Sequence, residues 1–512
     1  MNLSEVMENI NVLQVTGEFS GDVSSICYDS RKCDKNSLFV AITGLQSDGH
    51  NYIGEALNRG ARFIIHEKEY IPAPGVTAIK VTDSRRALGV LGKNFYHHPS
   101  SRLCLIGVTG TNGKTTVTYL LEAILRAAGF SVGILGTVNY RYDGQVFPAP
   151  NTTPESFEMQ RVFGKMLESG ISHVVAEVSS HAVDLRRIDD CAFDRGIFTN
   201  LSQDHLDYHG NMENYFRAKK RFFEEVLPAG KKPGEHKMIV NGDDPWGRKL
   251  LDKMGTAALT YGIESRCDIA AESFSLSLEG IRANIRAGER SLAIVSPLIG
   301  KFNLYNILAA AGAAFSLDIS DLHIREGIRN LHNVPGRLEK VSSEGEPAVF
   351  VDYAHTDDAL KKVLQNLWEF KRGKIITVFG CGGDRDRGKR PLMGEAAASM
   401  SDMTIITSDN PRTEDPLMII SEIERGIQPL AREKVRPEDL VKNRDKKCYA
   451  VIPDRAAAVG AAVTVADADD IILIAGKGHE NYQIMGMKKI PFDDRLVARG
   501  ALQAMKGKGT WN

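Results

Sequence analysis

Short apolar, β-branched runs recur along the chain, each followed by a polar Gly, Asp or Asn turn and then by apolar positions at helical spacing. The clearest runs cover residues 38–42, 62–66, 103–108, 173–178, 196–199, 238–240, 349–351, 375–379, 404–407 and 470–474. Unbroken apolar runs alternating with helical patterns predict buried strands in parallel sheets built from βαβ units. No low-complexity stretch or short-period repeat interrupts the theme. The segment His97-His98-Pro99-Ser100-Ser101 separates a helical pattern from a strong strand, and Asn333-Val334-Pro335-Gly336-Arg337 does the same further on. Boundaries near residues 100 and 335 follow, giving three α/β domains: 1–100, 101–335 and 336–512.

Ligands of open parallel sheets bind beyond the carboxyl ends of the strands. Those ends carry the chain's polar clusters. In the middle region they are Gly110–Thr116, then Glu177 with Ser179, Ser180 and His181, then Asn200, Asp204 and His205. In the last region they are Asp352-Tyr353-Ala354-His355, residues 380–390, Asp409-Asn410-Pro411-Arg412 and Gly476-Lys477-Gly478-His479-Glu480. Turns are polar in any protein, but turn chemistry alone does not load every strand end of two domains.

Composition narrows the picture without deciding it. The chain has 512 residues, and its 64 basic and 65 acidic residues leave a net charge of −1, so no global field attracts nucleic acid or an anionic membrane. Its seven scattered cysteines contain no C-x-x-C pair, which argues against a disulfide framework and a thiolate zinc site. The first residues lack the basic-then-apolar layout of a signal peptide, and no apolar run is long enough to span a bilayer. A cytoplasmic protein that does not insert into membranes is expected.

The most specific local signal is Gly110-Thr111-Asn112-Gly113-Lys114-Thr115-Thr116. It follows the apolar run 103–108 and precedes Val117, Leu120, Leu121, Ile124 and Leu125, which share one helical face. Strand, glycine-rich loop and helix start are the setting of a phosphate loop, where backbone N–H groups and the helix N-terminus hold phosphate oxygens. Lys114 is expected to reach the β and γ phosphates of ATP, and the Thr115 hydroxyl to hold Mg²⁺. The general pattern asks for Gly at position 108, where this chain has Val108.

The compact G-T-N-G-K-T-T form resembles the Mur ligases, which add amino acids to a UDP-linked muramoyl peptide. The likeness extends through Asn151-Thr152-Thr153-Pro154, Glu177–His181, Asn200–Asp207, Ala218-Lys219, Gly300–Asn306, Gly336-Arg337 and Asp352–His355. It implies a central ATPase domain around a parallel sheet, a Rossmann-like last domain and a smaller UDP-sugar-binding first domain. It also implies that Glu177 and His205, at what read as neighbouring strand ends, hold a second Mg²⁺ beside the one at Thr115. Lys219 matches a position that related ligases carbamylate, converting an ammonium into an anionic metal ligand (N6-carboxylysine). Lys220 and Arg221 beside it read as a solvated basic face. Asn306, Arg337, Asp352 and His355 match residues that contact the nucleotide from its far side, as the last domain closes over ATP.

Within the family, Asp29-Ser30-Arg31 and Ser47–His50 resemble UDP-binding segments of the members that extend UDP-N-acetylmuramoyl-L-alanyl-D-glutamate. Asn151, Thr152, Thr153, Ser179 and Arg187 resemble their muramoyl-dipeptide contacts, while Leu185 departs from a common Gln. Asp409-Asn410-Pro411-Arg412 resembles the signature of members that add meso-diaminopimelate, with Arg390, Gly476 and Glu480 completing the set. The chemistry fits. A guanidinium binds the distal carboxylate that lysine lacks, and Asp409 and Glu480 accept from the distal ammonium. The implied reaction passes through an acyl phosphate, with ATP as co-substrate and a monomer as the working form; the sequence does not name the base that takes the amine proton, with His205 and His181 as candidates. L-Lysine as amine donor, a folylpolyglutamate synthetase-like ligase and a switching or motor P-loop NTPase are the competing readings.

Overall fold

The computed structural model describes residues 1–44, 47–230, 237–254 and 258–507. Each of the ten apolar runs named above contains or overlaps a strand, and three larger sheets organise the chain. The first sheet has the order Val12–Thr16, Thr77–Val81, Phe63–His66, Leu38–Val40, Ile26–Cys27. It is parallel except for Val12–Thr16, which runs antiparallel to its neighbour.

The second sheet places the phosphate-loop strand Cys104–Thr109 between Arg195–Phe198 and His173–Glu177, with parallel register on both sides. Lys237–Asn241 and Ala258–Gly262 continue it in parallel beyond Arg195–Phe198, and Val132–Leu135 lies beyond His173–Glu177. The expectation of purely parallel sheets needs correcting at both edges. The strands Tyr140–Tyr142 and Gln145–Phe147 form an antiparallel hairpin on one side, and three strands over residues 269–296 extend the other. Glu177 and His205 therefore do not end neighbouring strands: they follow the two strands that flank the phosphate-loop strand.

The helix Lys114–Ala127 behaves as its pattern requires. Val117, Leu120, Leu121, Ile124 and Leu125 are all fully buried. The helix Met212–Arg221 runs directly into a π turn, Phe222–Val226. Phe222 approaches the phosphate-loop strand so closely that a Cβ on Gly107 would stand 2.6 Å from its ring. This packing presses the last turn of the helix, and Lys219 with it, onto the strand end.

The third sheet runs Glu339–Lys340, Ala348–Asp352, Ile471–Ala475, Ile375–Phe379, Met403–Ile406, Cys448–Val451, Glu433–Lys434. Its five longer strands are parallel and almost wholly buried, with apolar layers on both faces. A two-stranded hairpin, Tyr482–Met485 with Lys488–Pro491, follows it in sequence. The chain divides into two compact units, the first holding most of residues 1–272 with 305–328, the second most of 329–512.

Candidate active site

The phosphate loop is shaped by two glycines at positive φ. Gly110 has φ +140°, and a Cβ there would lie 1.9 Å from the Thr199 hydroxyl. Gly113 has φ +89°, and a Cβ there would lie 2.3 Å from Oδ1 of the buried Asn306. An L side chain would meet both strain and collision at either position. Thr199 and Asn200, at the end of the adjacent strand, fix the loop between them. The N–H of Thr111 donates to the Asn200 carbonyl at 2.8 Å, that of Asn112 to Asn200 Oδ1 at 3.0 Å, and the Thr199 hydroxyl to the Asn112 carbonyl at 2.6 Å. Val108 is explained as well. It is a fully buried strand residue in register with Glu177 and Ile197, so the strand continues where the general pattern would already have begun its loop.

Two lysines converge on this loop. Lys114 Nζ donates to the carbonyls of Gly110 and Thr111 at 2.9 and 2.8 Å. Lys219 Nζ donates to the same Gly110 carbonyl at 2.9 Å and lies 4.9 Å from the Tyr215 ring centre. Lys219 is fully buried, and no ion pair involving it is found among the described residues. Burial, and after it the Lys114 charge, push its ammonium well below the ordinary lysine range.

Glu177 is buried at the other flank of the loop strand. Its carboxylate accepts from the Thr137 N–H at 3.0 Å and the Thr137 hydroxyl at 2.8 Å, and its carbonyl accepts from the Thr153 hydroxyl at 2.7 Å. Thr152 meets the Thr137 hydroxyl at 3.1 Å, while the Ser179 N–H donates to the Thr153 hydroxyl at 3.0 Å. Arg187 donates to the Thr153 carbonyl at 3.2 Å and pairs with Glu155 at 3.3 Å. The carbonyl of Asn151, next to Thr152, accepts from the Tyr140 hydroxyl. The structure thus ties Glu177 to Thr152, Thr153, Ser179 and Arg187 in one hydrogen-bonded network, with Asn151 adjoining it in sequence.

His205 adopts φ +54° and is partly exposed. Its imidazole lies edge-on to His181, with ring centres 5.0 Å apart. Burial lowers its pKa to about 4 and also lowers that of His181, so both rings are neutral near pH 7. Lys220 and Arg221 do not form the solvated face expected of them. Arg221 donates to the Val183 carbonyl and to Asp189 and Glu225 at 2.5–2.7 Å, and Lys220 pairs with Glu224 at 2.7 Å. In the first sheet, Ser30 is buried and its hydroxyl donates to Glu55 at 2.7 Å.

The second unit assembles the other polar strand ends. Lys477 is fully buried, and its ammonium donates to Asn410 Oδ1 at 3.1 Å and Glu480 Oε2 at 3.0 Å, with Asp409 Oδ1 at 3.4 Å. Asn410 Nδ2 also donates to Glu480 at 2.9 Å. Gly476, at φ +114°, leaves room for Asp409, whose Oδ2 would lie 2.9 Å from a Cβ there. Arg412, at φ +52°, is held by backbone bonds to the 482–491 hairpin, and its Nη1 donates to the Gly383 carbonyl at 2.7 Å.

Arg390 departs from the sequence reading. It is fully buried and already binds Glu414 bidentately at 2.8–2.9 Å and Glu422 at 2.8 Å, while donating to the Gly382 carbonyl at 3.2 Å. Its guanidinium braces the loop that touches Arg412, and in this conformation it presents no face to a ligand carboxylate. Asp352 likewise turns inward. It accepts from the N–H groups of Leu338 and Ala354 at 2.6 and 2.8 Å, and burial raises its pKa. Arg337 lies over the Tyr353 ring at 5.0 Å, and His355 Nδ1 is 2.9 Å from the Tyr353 carbonyl.

Three family models match the chain: the Mur ligase family catalytic domain over residues 22–96, the Mur ligase middle domain over 108–314 and the Mur ligase glutamate ligase domain over 336–478. The UDP-N-acetylmuramoyl-L-alanyl-D-glutamate--2,6-diaminopimelate ligase of Geobacter metallireducens is 44% identical over 509 residues, covering 99% of this chain and 100% of its own. The chain belongs to the Mur ligase family. A solved structure of a ligase with the same name matches at 30% identity and a TM-score of 0.69, covering 99% of both chains. Mycobacterium tuberculosis folylpolyglutamate synthase, complexed with ADP and AMPPCP, matches 82% of this chain and 95% of its own at 16% identity and a TM-score of 0.59, a likeness of fold alone.

As a Mur ligase the chain is an ATP-dependent, amide-forming enzyme acting on small molecules, and a divalent cation accompanies its ATP. Among the described residues no three His, Cys, Asp or Glu side chains are grouped to hold a metal ion. The set named from sequence is of another kind: the Thr115 hydroxyl, the Glu177 carboxylate, the His205 imidazole and a modified Lys219. Its oxygen donors suit Mg²⁺, and a buried lysine without a counter-ion suits conversion to a carbamate. No helix among the described residues is long and apolar enough to cross a membrane. Sequence reasoning missed Thr137 and Thr199 as parts of these sites, and it placed Lys477 in a strand-end cluster without giving it a role. Thr137 and Thr199 follow strands, so the same rule of strand ends would have found them.

Proposed function

We propose that this Mur ligase joins meso-2,6-diaminopimelate to the D-glutamyl γ-carboxylate of UDP-N-acetylmuramoyl-L-alanyl-D-glutamate, a step of peptidoglycan synthesis. The observation that carries the choice of amine is that Arg412, Asp409 and Asn410, which holds Glu480, are all tied to one hairpin. The Ile484 carbonyl accepts from the Arg412 N–H at 3.1 Å, and the Ile484 N–H donates to Asn410 at 2.9 Å. A cation and carboxylates anchored to the same hairpin complement the zwitterionic distal end of diaminopimelate, whereas L-lysine offers only the ammonium.

The chemistry runs in two steps. The γ-carboxylate attacks the γ-phosphorus of ATP, giving an acyl phosphate and ADP. The uncharged amine then attacks the acyl carbon, and phosphate leaves the tetrahedral intermediate. Lys114, rotated from its loop carbonyls, offers positive charge to the transferring phosphoryl group, and the loop N–H groups hold its oxygens. Bound Mg²⁺, as two ions held by Thr115, Glu177, His205 and carbamylated Lys219, would neutralise the phosphate charge. A neutral Lys219 amine is the form that adds CO₂, and its burial favours that form. Asn151, Thr152, Thr153, Ser179 and Arg187 orient the muramoyl dipeptide beside Glu177, and Ser30 lies on the UDP end.

Domain divisions near residues 100 and 335, a monomeric enzyme and a cytoplasmic site of action complete the reading. Trapping with hydroxylamine tests the intermediate. With UDP-muramoyl dipeptide and Mg²⁺-ATP but no amino acid, the γ-hydroxamate should accumulate with one ADP per hydroxamate. Hydroxamate formation without ADP release would contradict the route.

A further inference from the structure

The thiols of Cys27 and Cys33 enclose the turn that holds Ser30. Cys27 ends the strand Ile26–Cys27, and Cys33 caps the short 3₁₀ turn Ser30–Lys32. Both side chains are buried in one small apolar cluster. The Cys27 thiol also donates to the Lys32 carbonyl at 3.2 Å, the residue immediately before Cys33. That bond and the Cys33 N–H to the Ser30 carbonyl at 3.2 Å hold the turn closed. Cys27 further lines a cavity of about 340 Å³ with Tyr28, Asp29, Lys32, Tyr96 and Arg161, which brings a small reagent up to this residue.

The two thiols are not equivalent. The Cys33 neighbour draws the Cys27 pKa down, while the same contact and burial push that of Cys33 up. Cys267 and Cys448 are raised by burial, and Cys381 is pushed up to about 12. Cys27 is thereby the better nucleophile of the pair and Cys33 the resolving partner, the division found in sensor dithiols.

We propose that Cys27 and Cys33 are a redox modification site, forming a reversible disulfide that opens the Ser30 turn and weakens binding of the UDP-bearing substrate. The oxidant is a low-molecular-weight disulfide. The Cys27 thiolate attacks one of its sulfurs, forming a mixed disulfide and releasing one thiolate. Cys33 then gives up its proton and attacks the Cys27 sulfur, releasing the second thiolate. Two protein thiols are oxidised, and one small disulfide is reduced to two thiols. Oxidation removes the Cys27 S–H, so the Lys32 carbonyl loses its donor and the turn loses its tie to the strand Ile26–Cys27. The effect on substrate rests on the reading above that this turn meets the UDP end; the disulfide itself does not.

Oxidised glutathione, added to the full chain, tests both parts. Trypsin cuts after Arg31 and Lys32, separating the two cysteines, so a bridge appears as a joined peptide pair that dithiothreitol releases. We expect that pair, and a dissociation constant for UDP-muramoyl dipeptide raised roughly tenfold, equal to about 1.4 kcal/mol, by oxidation. Cys33→Ser should give no joined peptide pair and should instead keep a glutathione adduct on Cys27. A bridge to other cysteines, or a glutathione adduct that never resolves, would overturn the site. A Cys27–Cys33 bridge with unchanged affinity would overturn its coupling to substrate. Failure of the reduced chain to bind UDP-muramoyl dipeptide would overturn the underlying functional reading, and the peptide map would still decide the disulfide.

Discussion

Lys114 and Lys219 donate to a single oxygen, the carbonyl of Gly110, each at 2.9 Å. Two ammonium groups sharing one acceptor, one of them fully buried, is a costly arrangement unless one is neutral or modified. Carbamylation of Lys219 would turn the repulsion into an attraction and free Lys114 to swing towards phosphate. Lys219→Ala should therefore lower kcat by about a hundredfold or more, the scale of losing one transition-state electrostatic contact. Short carboxylic acids should restore part of it. Lys219→Arg should show no rescue, because a guanidinium neither carbamylates nor leaves space for the acid. Full activity in Lys219→Ala without added acid would refute the role.

Arg412→Lys should raise KM for meso-diaminopimelate by roughly ten- to a hundredfold, the cost of a charge-assisted bidentate contact. The kcat should change less, since the residue lies on the amino-acid end. Steady-state kinetics with varied diaminopimelate measures both, and an unchanged KM would place the distal carboxylate elsewhere.

Lys477→Met tests the hub of that cluster. It leaves the buried Asp409 and the Glu480 carboxylate without their shared ammonium. A loss of about 3–5 kcal/mol in denaturant unfolding is expected, as for a buried charge stripped of its partner. Lys477→Arg should recover only part of this, because the planar fork does not fit between three acceptors. Unfolding midpoints equal to wild type would mean that the cluster is solvated.

His479 supplies a pH dependence. Burial, followed by the charges of Arg337 and Arg495, lowers its pKa from 6.5 to about 4. The unfolded chain binds this proton below pH 6.5 while the folded chain does not. The contribution is therefore fully present above pH 6.5 and is lost as pH falls towards 4. Other buried histidines act in the same direction, so the comparison that isolates this one is His479→Gln, whose melting temperature should fall less steeply over that window. Parallel profiles would contradict the assignment.

The strands were legible because parallel strands buried on both faces leave unbroken apolar runs. The hairpins were not. Gly280–Ala287, for example, alternates buried Ile281, Ala283 and Ile285 with exposed Arg282 and Asn284, and so breaks its run with polar residues. The position of a candidate residue was legible where it closes a strand or the loop after it, as with Lys114, Glu177 and Arg412. It was not legible where the job depends on a distant partner. Arg390 reads as a free cation in its own segment, yet Glu414 and Glu422, 24 and 32 residues away, take up its guanidinium. Arg221 reads as part of a solvated face for the same reason: Asp189, which binds it, lies 32 residues away.

The central claim is the choice of amine. Phosphate release from Mg²⁺-ATP with UDP-muramoyl dipeptide, measured with meso-diaminopimelate and with L-lysine at equal concentration, tests it most directly. Release that depends on diaminopimelate, with a product heavier by one diaminopimelate residue and little turnover of lysine, is the predicted result. Release that depends on lysine and ignores diaminopimelate would contradict it.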